Sequence, residues 1–269
     1  MELRLPFVPL ESLVNENQLR IADSFHADDF KYSTSVRGKR LEWLCLSRRL
    51  LWMACGHEYI EPECLDWIDR MPPGAVLYDI GASNGIFSMY AAACGLRVIA
   101  IEPDPMNYFL LSYNNYLNHR SSGTTLAGCY NLAISDRTAI GSIHMKQMEL
   151  GGHEKILDKT EDVFGRAFSP EYSHPVLKYT LDDLSEISGL PPPKYLKIDV
   201  DGSEFEALSG GTICLGNAKS VFIELTDDAI SSFAVSLFEN HGFILQSKHQ
   251  VQNYTGLFNC VFEKPDDPA

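Results

Sequence analysis

The hydrophobic pattern of the chain changes period repeatedly, and the changes mark out its elements. From Ala75 onward, short and nearly unbroken apolar runs alternate with stretches whose apolar positions recur every three or four residues. The runs AVLYDI (75–80), LRVIAIE (96–102), GCYNLAIS (128–135), KYLKIDV (194–200) and SVFIEL (220–225) read as strands. Between them, NGIFSMYAAACG (84–95), DPMNYFLLSYNNYLN (104–118), SEFEALSGG (203–211) and DDAISSFAVSLFENHG (227–242) read as helices. Asp104 is a natural N-cap with Pro105 at the first helical position, and Gly95 stops the helix before it. Strands that are apolar on both faces and alternate with helices predict a parallel sheet covered on both sides. RTAIGSIHM (137–145) fits an antiparallel return strand, and FILQS with TGLFNCVFE a closing antiparallel hairpin.

Two regions depart from this rhythm. Residues 1–70 predict a helical cap, with one helix over RLEWLCLSRRLLWMACG (40–56) and a shorter one from Pro62, ahead of a core over 71–265. Residues 146–175 are polar and irregular, which is long for a structureless loop and predicts a lid or substrate-binding insertion.

The stretch VLYDIGASNGIF carries the first candidate chemistry. A strand runs into Asp79, and the glycines that follow, Gly81 and Gly85, open a helix. A dinucleotide fingerprint needs a third glycine between them for the close approach of a pyrophosphate. Here that glycine is missing, and Asp79 sets a carboxylate where a pyrophosphate needs positive charge. S-adenosylmethionine fits this reversed logic, because it carries a sulfonium and an ammonium and no phosphate. Glu102, closing the second strand, is placed to accept both ribose hydroxyls. A dinucleotide, or a plain strand–helix corner, are the competing readings of the turn.

The second candidate is YLKIDVDGSE (195–204). Alternation along the strand sends Lys197 and Asp199 to one face. Asp199 then ends a strand at the edge where open α/β sheets bind ligands. Crowded carboxylates raise proton affinity while Lys197 lowers it, so a base role for Asp199 is chemically sound. Asp201 reads as the N-cap of the following helix, with Glu204 complementing its dipole. Of the eight histidines, His153 in the presumed lid and His57 in the cap are alternative bases.

These stretches together with NLAISD, YTLDDL and VFIEL resemble the FkbM family of class I S-adenosylmethionine-dependent methyltransferases, over about Glu61 to Glu263. The resemblance implies a Rossmann-like α/β fold with a seven-stranded, mostly parallel sheet in the order 3-2-1-4-5-7-6. It also implies O-methylation of a hydroxyl on a carbohydrate or natural product. By the resemblance, Asp79, Gly81, Ala82, Ser83 and Gly85 form the methionine-side cradle. Glu102 takes the ribose, Pro103 shapes the turn after it, and Ala133, Ile134 and Ser135 border the adenine, with Asp136 nearby. Lys197, Asp199 and Glu224 gather at one end of the sheet, where Asp199 also touches the cofactor; a metal held by Asp199 and Glu224 is a lesser alternative.

The net charge of −14 disfavours nucleic acid and anionic membranes as partners. That weakens a second reading, an RNA ribose 2′-O-methyltransferase using a basic patch around SVRGKRLEW and SRRL. A cofactor-binding protein without turnover is a third. The seven scattered cysteines, with no C-x-x-C pair, and the absence of a signal-like start or a membrane-length apolar run predict a cytoplasmic protein.

Overall fold

The structure, a computed structural model, describes residues 15–18, 20, 27–187 and 189–265. After a 3-10 turn over Ala27–Phe30 come the first two strands, β1 (Lys31–Val36) and β2 (Lys39–Leu44), paired antiparallel. Arg37 and Gly38 join them, both at positive φ (46° and 78°), the backbone that a two-residue hairpin demands. The helix expected over 40–56 therefore begins only at Arg48, and its first half is a strand. Side chains on the helix Pro105–Ser122 satisfy the β2 backbone: Asn118 Oδ1 accepts from the Glu42 N–H (2.9 Å), Asn118 Nδ2 donates to the Glu42 carbonyl (2.8 Å), and Asn114 Oδ1 accepts from the Leu44 N–H (2.8 Å). Ser47 then caps the helix Arg48–Ile60 through the Leu50 N–H, and Pro62 opens the helix Pro62–Asp69 as expected.

The remaining strands follow in order. β3 (Val76–Ile80), β4 (Arg97–Ile101) and β5 (Gly128–Tyr130) come first, then β6 (Ala133–Ile134), β7 (Ala139–Met145), β8 (Lys155–Leu157) and β9 (Tyr172–Tyr179). The last four are β10 (Tyr195–Ile198), β11 (Ser220–Thr226), β12 (Ile244–Gln250) and β13 (Leu257–Glu263). Seven of them form one sheet in the order β12-β13-β11-β10-β3-β4-β5, parallel except for β13, which runs antiparallel to both its neighbours. Counted within the core, this is the expected order 3-2-1-4-5-7-6 of the class I methyltransferase fold.

A second sheet, β6-β9-β7-β8, was not legible beforehand. It arises because the run 128–135, expected as one strand, breaks after Tyr130. Asn131 Nδ2 donates to the carbonyls of Glu102 and Pro103 (2.9 and 3.0 Å) and pins the break to the end of β4. β6 then leaves the main sheet to pair with β9. The 146–175 region contributes β8 and the start of β9, so it is an organised part of this sheet rather than an irregular insertion.

Both faces of the main sheet are buried. One packs Ile80, Ile101, Ile198 and Ile223 against the later helices. The other packs Leu77, Val98 and Phe222 against Met89 of the helix Ile86–Ala93 and against Trp43, Leu65 and Trp67 of the N-terminal region. The N-terminal region is thus half of a core layer. Trp67 Nε1 seals it by donating to Ser220 Oγ at 2.8 Å. No described helix is long and apolar enough to cross a membrane.

Candidate active site

The turn after β3 is shaped by backbone constraints. Gly81 sits at φ +82°, and a Cβ there would fall inside the Asp199 carbonyl oxygen. Only glycine lets β3 and β10 end side by side. The Gly81 and Ala82 N–H groups both donate to the Ile101 carbonyl (2.9 and 3.0 Å), folding the turn over the end of β4. Gly85, at φ +86°, lies so close to Leu111 that a Cβ would come within 2.6 Å of Cδ1, and it starts the next helix. Ser83 takes the left-handed region too, at φ 51°, an uncommon conformation for a side-chain-bearing residue and one found at functional turns.

Strain at Ser83 presents its N–H to Glu102. The Glu102 carboxylate accepts from the Ser83 N–H (2.7 Å) and the Asp104 N–H (2.8 Å), one on each oxygen. Burial pushes its pKa up to about 8, while those two donors hold it back. Each oxygen keeps a lone pair for a ligand hydroxyl. Asp104 caps the helix Pro105–Ser122 through the Met106 and Asn107 N–H groups and is ion-paired with Lys155, both side chains buried.

These residues border a cavity of about 110 Å³. Gly81, Ser83, Glu102, Pro103, Ala133, Ile134 and Asp199, all expected to hold the cofactor, line it. Ser135 does not: its N–H pairs with the Tyr179 carbonyl, and its hydroxyl donates to Asp136 instead. Sequence reasoning missed the opposite wall, Ile143, Gly152, Lys155 and Leu157, which the second sheet supplies, and Asp201 from the loop after β10. No local signal marks that wall, since it depends on β7 and β8 pairing over the site. Asn107 ties it down, accepting from the Gly151 N–H (3.0 Å) and donating to the Gly152 carbonyl (3.1 Å).

A second cavity of about 320 Å³ adjoins the first, and the two share Gly81, Ser83, His153, Asp199 and Asp201. Ala82, Lys197 and Glu224 line it, as does Glu61, which the sequence did not mark as chemical. Lys197 Nζ donates to Asp199 Oδ2 (3.0 Å), lies 3.6 Å from Asp79 Oδ1 and sits over the Phe87 ring at 5.4 Å. Burial works against its charge, yet Asp199, Asp79 and Glu61 together hold its pKa well above the usual lysine value. The carboxylates are raised as well. Burial, then Asp199, pushes Glu61 up to about 8 and Asp201 up to about 6. Glu224 is raised well above its ordinary value by burial and by Asp199, Glu61, Asp201 and Glu204.

Three expectations change here. Asp79 lines neither cavity. It is 1% exposed beneath the turn, accepting from Ser88 Oγ (2.5 Å) and facing Lys197 at 3.6 Å. Gly85 also stands behind the cavity wall, making room for Leu111. Asp201 is not an N-cap: the helix Glu204–Ser209 starts after Ser203, and Asp201, at φ 52°, accepts from the Lys155 N–H (3.3 Å).

Neither histidine is a free base. His57 is 1% exposed among Trp43, Phe87 and Tyr90, with ring centroids 5.7, 5.8 and 6.0 Å away. Neither of its nitrogens has a hydrogen-bond partner, and burial lowers its pKa to about 3. His153 does line both cavities, but Arg49 lies 2.8 Å from its Nδ1 and Tyr254 Oη 3.0 Å from its Nε2. A guanidinium only donates, so Nδ1 accepts and the proton sits on Nε2. His153 joins the N-terminal helix to the β12–β13 turn with its basic nitrogen occupied. Among the described residues, no group of three or more His, Cys, Asp or Glu side chains is arranged to hold a metal ion.

Sequence comparison agrees with this geometry. Residues 79–251 match the model of the methyltransferase FkbM domain. The hexuronic acid methyltransferase AglP of Haloferax volcanii is 28% identical over 152 residues, covering 56% of this chain and 55% of AglP. The methyltransferase sdnD of Sordaria araneosa is 27% identical over 173 residues, covering 57% of this chain and 66% of sdnD. This chain therefore corresponds to little more than half of AglP and about two thirds of sdnD. Among solved structures, an FkbM methyltransferase from Methylobacillus flagellatus aligns at 14% identity with a TM-score of 0.49, over 80% of this chain and 52% of that one. With its core strand order and a family match across most of its length, the chain belongs to the FkbM methyltransferase family.

Proposed function

We propose that the protein transfers the methyl group of S-adenosylmethionine to a hydroxyl of a small acceptor, a carbohydrate or a natural product. The observation that carries this reading is the meeting of two cavities at Asp199. One is flanked by apolar side chains with a carboxylate at the end of β4; the other is wider and lined with carboxylates.

The residues of the first cavity fit the cofactor. Glu102, preorganised by two backbone N–H groups, would take the ribose hydroxyls. Leu132, Ile134, Ile143 and Leu157 offer apolar surfaces to the adenine, and the acidic residues at the junction suit a sulfonium and an ammonium. The cofactor, when bound, supplies an electrophilic methyl group. Asp199, held by Lys197, faces the second cavity and would take the proton of an acceptor hydroxyl there. Lys197 holds the base in place, and Glu224 adds to the negative field at the acceptor. The strap from Gly151 to Leu157 excludes water from the junction; protection of 146–175 from limited proteolysis when cofactor and acceptor are both present tests this, and equal cleavage would reject it.

A polyanionic acceptor fits poorly. Part of the basic patch that favours RNA is ion-paired, with Arg37 held by Asp66 and Asp69 and Arg40 by Glu42. The reading is tested by transfer of labelled methyl groups from S-adenosylmethionine to a panel of glycosides, hydroxylated natural products and RNA. Labelling of the small acceptors is the expected result. Labelling of RNA alone, or cofactor binding with no transfer to any of them, would overturn it.

A further inference from the structure

Glu61 lies at the junction of the helices Arg48–Ile60 and Pro62–Asp69, outside the stretch that matches the family. It occupies the N-cap position of the second helix, where an acidic side chain ordinarily accepts from the first free N–H groups. It makes no such bond. The carboxylate instead lines the second cavity, and its Oε2 is buried with no hydrogen-bond partner. A buried acceptor left open costs about 1–3 kcal/mol, and more when charged, so a carboxylate placed this way points to a ligand that fills it.

Glu224 reaches the same cavity from β11. Among the described residues, no lysine, arginine or histidine forms an ion pair with Glu61 or Glu224. The cations that line the cavity are already committed. Arg166 is held by Asp162 at 2.7 Å, Arg49 donates to the Gly151 carbonyl at 2.7 Å and to His153, and Lys197 serves Asp199 and Asp79. Glu61 and Glu224 thus add acidic groups to the cavity that no ion pair among the described residues offsets, and Lys197, the cation that acts on Glu61, is already shared with Asp199 and Asp79. A positive charge on the acceptor would balance them.

We infer that the acceptor carries a protonated amine, as an amino sugar or amino alcohol does, and that Glu61 with Glu224 recognises it while a neighbouring hydroxyl is presented to Asp199. The same pair disfavours acceptors bearing a carboxylate. This rests on the methyltransferase reading of the site, and it departs from the acidic acceptor named for AglP.

The test uses three matched probes, methyl glucosaminide, methyl glucoside and methyl glucuronide, titrated calorimetrically into full-length enzyme saturated with S-adenosylhomocysteine. Saturation is established first in a separate titration. Failure at that step refutes the cofactor reading, whereas failure among the probes refutes only the amine. The expected order is amine, neutral, acid, with at least tenfold between amine and neutral. Glu61→Gln, checked for an unchanged melting temperature, should remove about tenfold from the amine and leave the neutral probe unaltered. Glu224→Gln, at the other side of the cavity, should act in the same direction. Equal affinities, preference for the glucuronide, no binding of any probe, or an equal loss for all probes in Glu61→Gln would each overturn the proposal.

Discussion

The two halves of the site are built on different principles. The proposed cofactor half is anchored on consecutive strand–turn–helix units, with the second sheet and the loop after β10 closing one wall, and its anchoring residues are dictated by backbone requirements. Gly81 must lack a side chain because β10 ends against it, and Glu102 is fixed by N–H groups two residues ahead and in the preceding turn. The acceptor half is assembled from chain segments far apart. Glu61 arrives from the N-terminal helices, His153 from the strap beside β8, and Tyr254 from the β12–β13 turn. A site made from one supersecondary unit tolerates almost no local change, while one made from distant loops is free to vary in chemistry without disturbing the sheet.

Gly81→Ala should give the largest effect that separates the halves. The added methyl would collide with backbone, which has no rotamer to yield, at a φ that disfavours any side chain. A loss of about 4 kcal/mol or more of stability is expected in thermal or denaturant unfolding. Gly38→Ala, at a similar φ with open space around it, should cost only about 1 kcal/mol. Equal effects at the two positions would mean that the β3–β10 contact does not constrain the turn.

Asp199→Asn comes next and probes the junction itself. Removing the charge while keeping the shape should lower turnover by ~10²–10⁴-fold, the usual contribution of a positioned base. Cofactor affinity should stay within about tenfold, or ~1.4 kcal/mol. A collapse of cofactor binding with this variant would move Asp199 wholly into the cofactor half. Glu102→Ala should show the reverse profile, weakening S-adenosylhomocysteine by about 1.5–3 kcal/mol in calorimetry. An unchanged affinity would remove Glu102 from the ribose role.

The legibility of the sequence follows the same division. Periodicity and end signals located β3, β4, β5, β10 and β11, the order of the sheet and Ser83 followed from the family resemblance, and the turn chemistry pointed to Gly81 and Glu102. Asp79 was visible as a charged residue at a strand end, but whether such a residue faces a ligand or a buried lysine depends on how β10 registers against β3, Lys197 opposite Asp79. The N-terminal hairpin hid because Leu41, Leu44 and Cys45 satisfy a helical spacing, while the features that make it a strand, Asn114 and Asn118, lie some seventy residues away. Glu61 gave no signal at all. An acidic residue before a proline reads as a helix start, and only the packed structure shows that its side chain is not used as one.

The smallest expected effect concerns the N-terminal layer, and it separates a stabilising histidine from a catalytic one. His57 has an ordinary pKa of 6.5, lowered in the fold to about 3 by burial among aromatic rings. The unfolded chain therefore takes up a proton below pH 6.5 that the folded chain refuses until far lower pH. The stability contributed by neutral His57 is fully present above about pH 6.5 and is lost as the pH falls, by about 1.4 kcal/mol per unit. The buried carboxylates Glu61 and Glu102 act with the opposite sign. Their raised folded-state values contribute stability that is fully present in acid, below about 4.5, and is lost as pH rises toward 8. Only a difference between variants isolates the histidine. His57→Phe keeps an aromatic ring in the box and removes the titration. Its unfolding free energy, compared with that of the parent, should converge toward or overtake it as pH is lowered from 7 to 5. Methyl transfer measured at pH 7.5 should be little changed. A constant offset between the two proteins across that range would show that His57 takes up its proton in the fold as readily as in the unfolded chain. Loss of turnover with stability intact would return it to the list of catalytic bases.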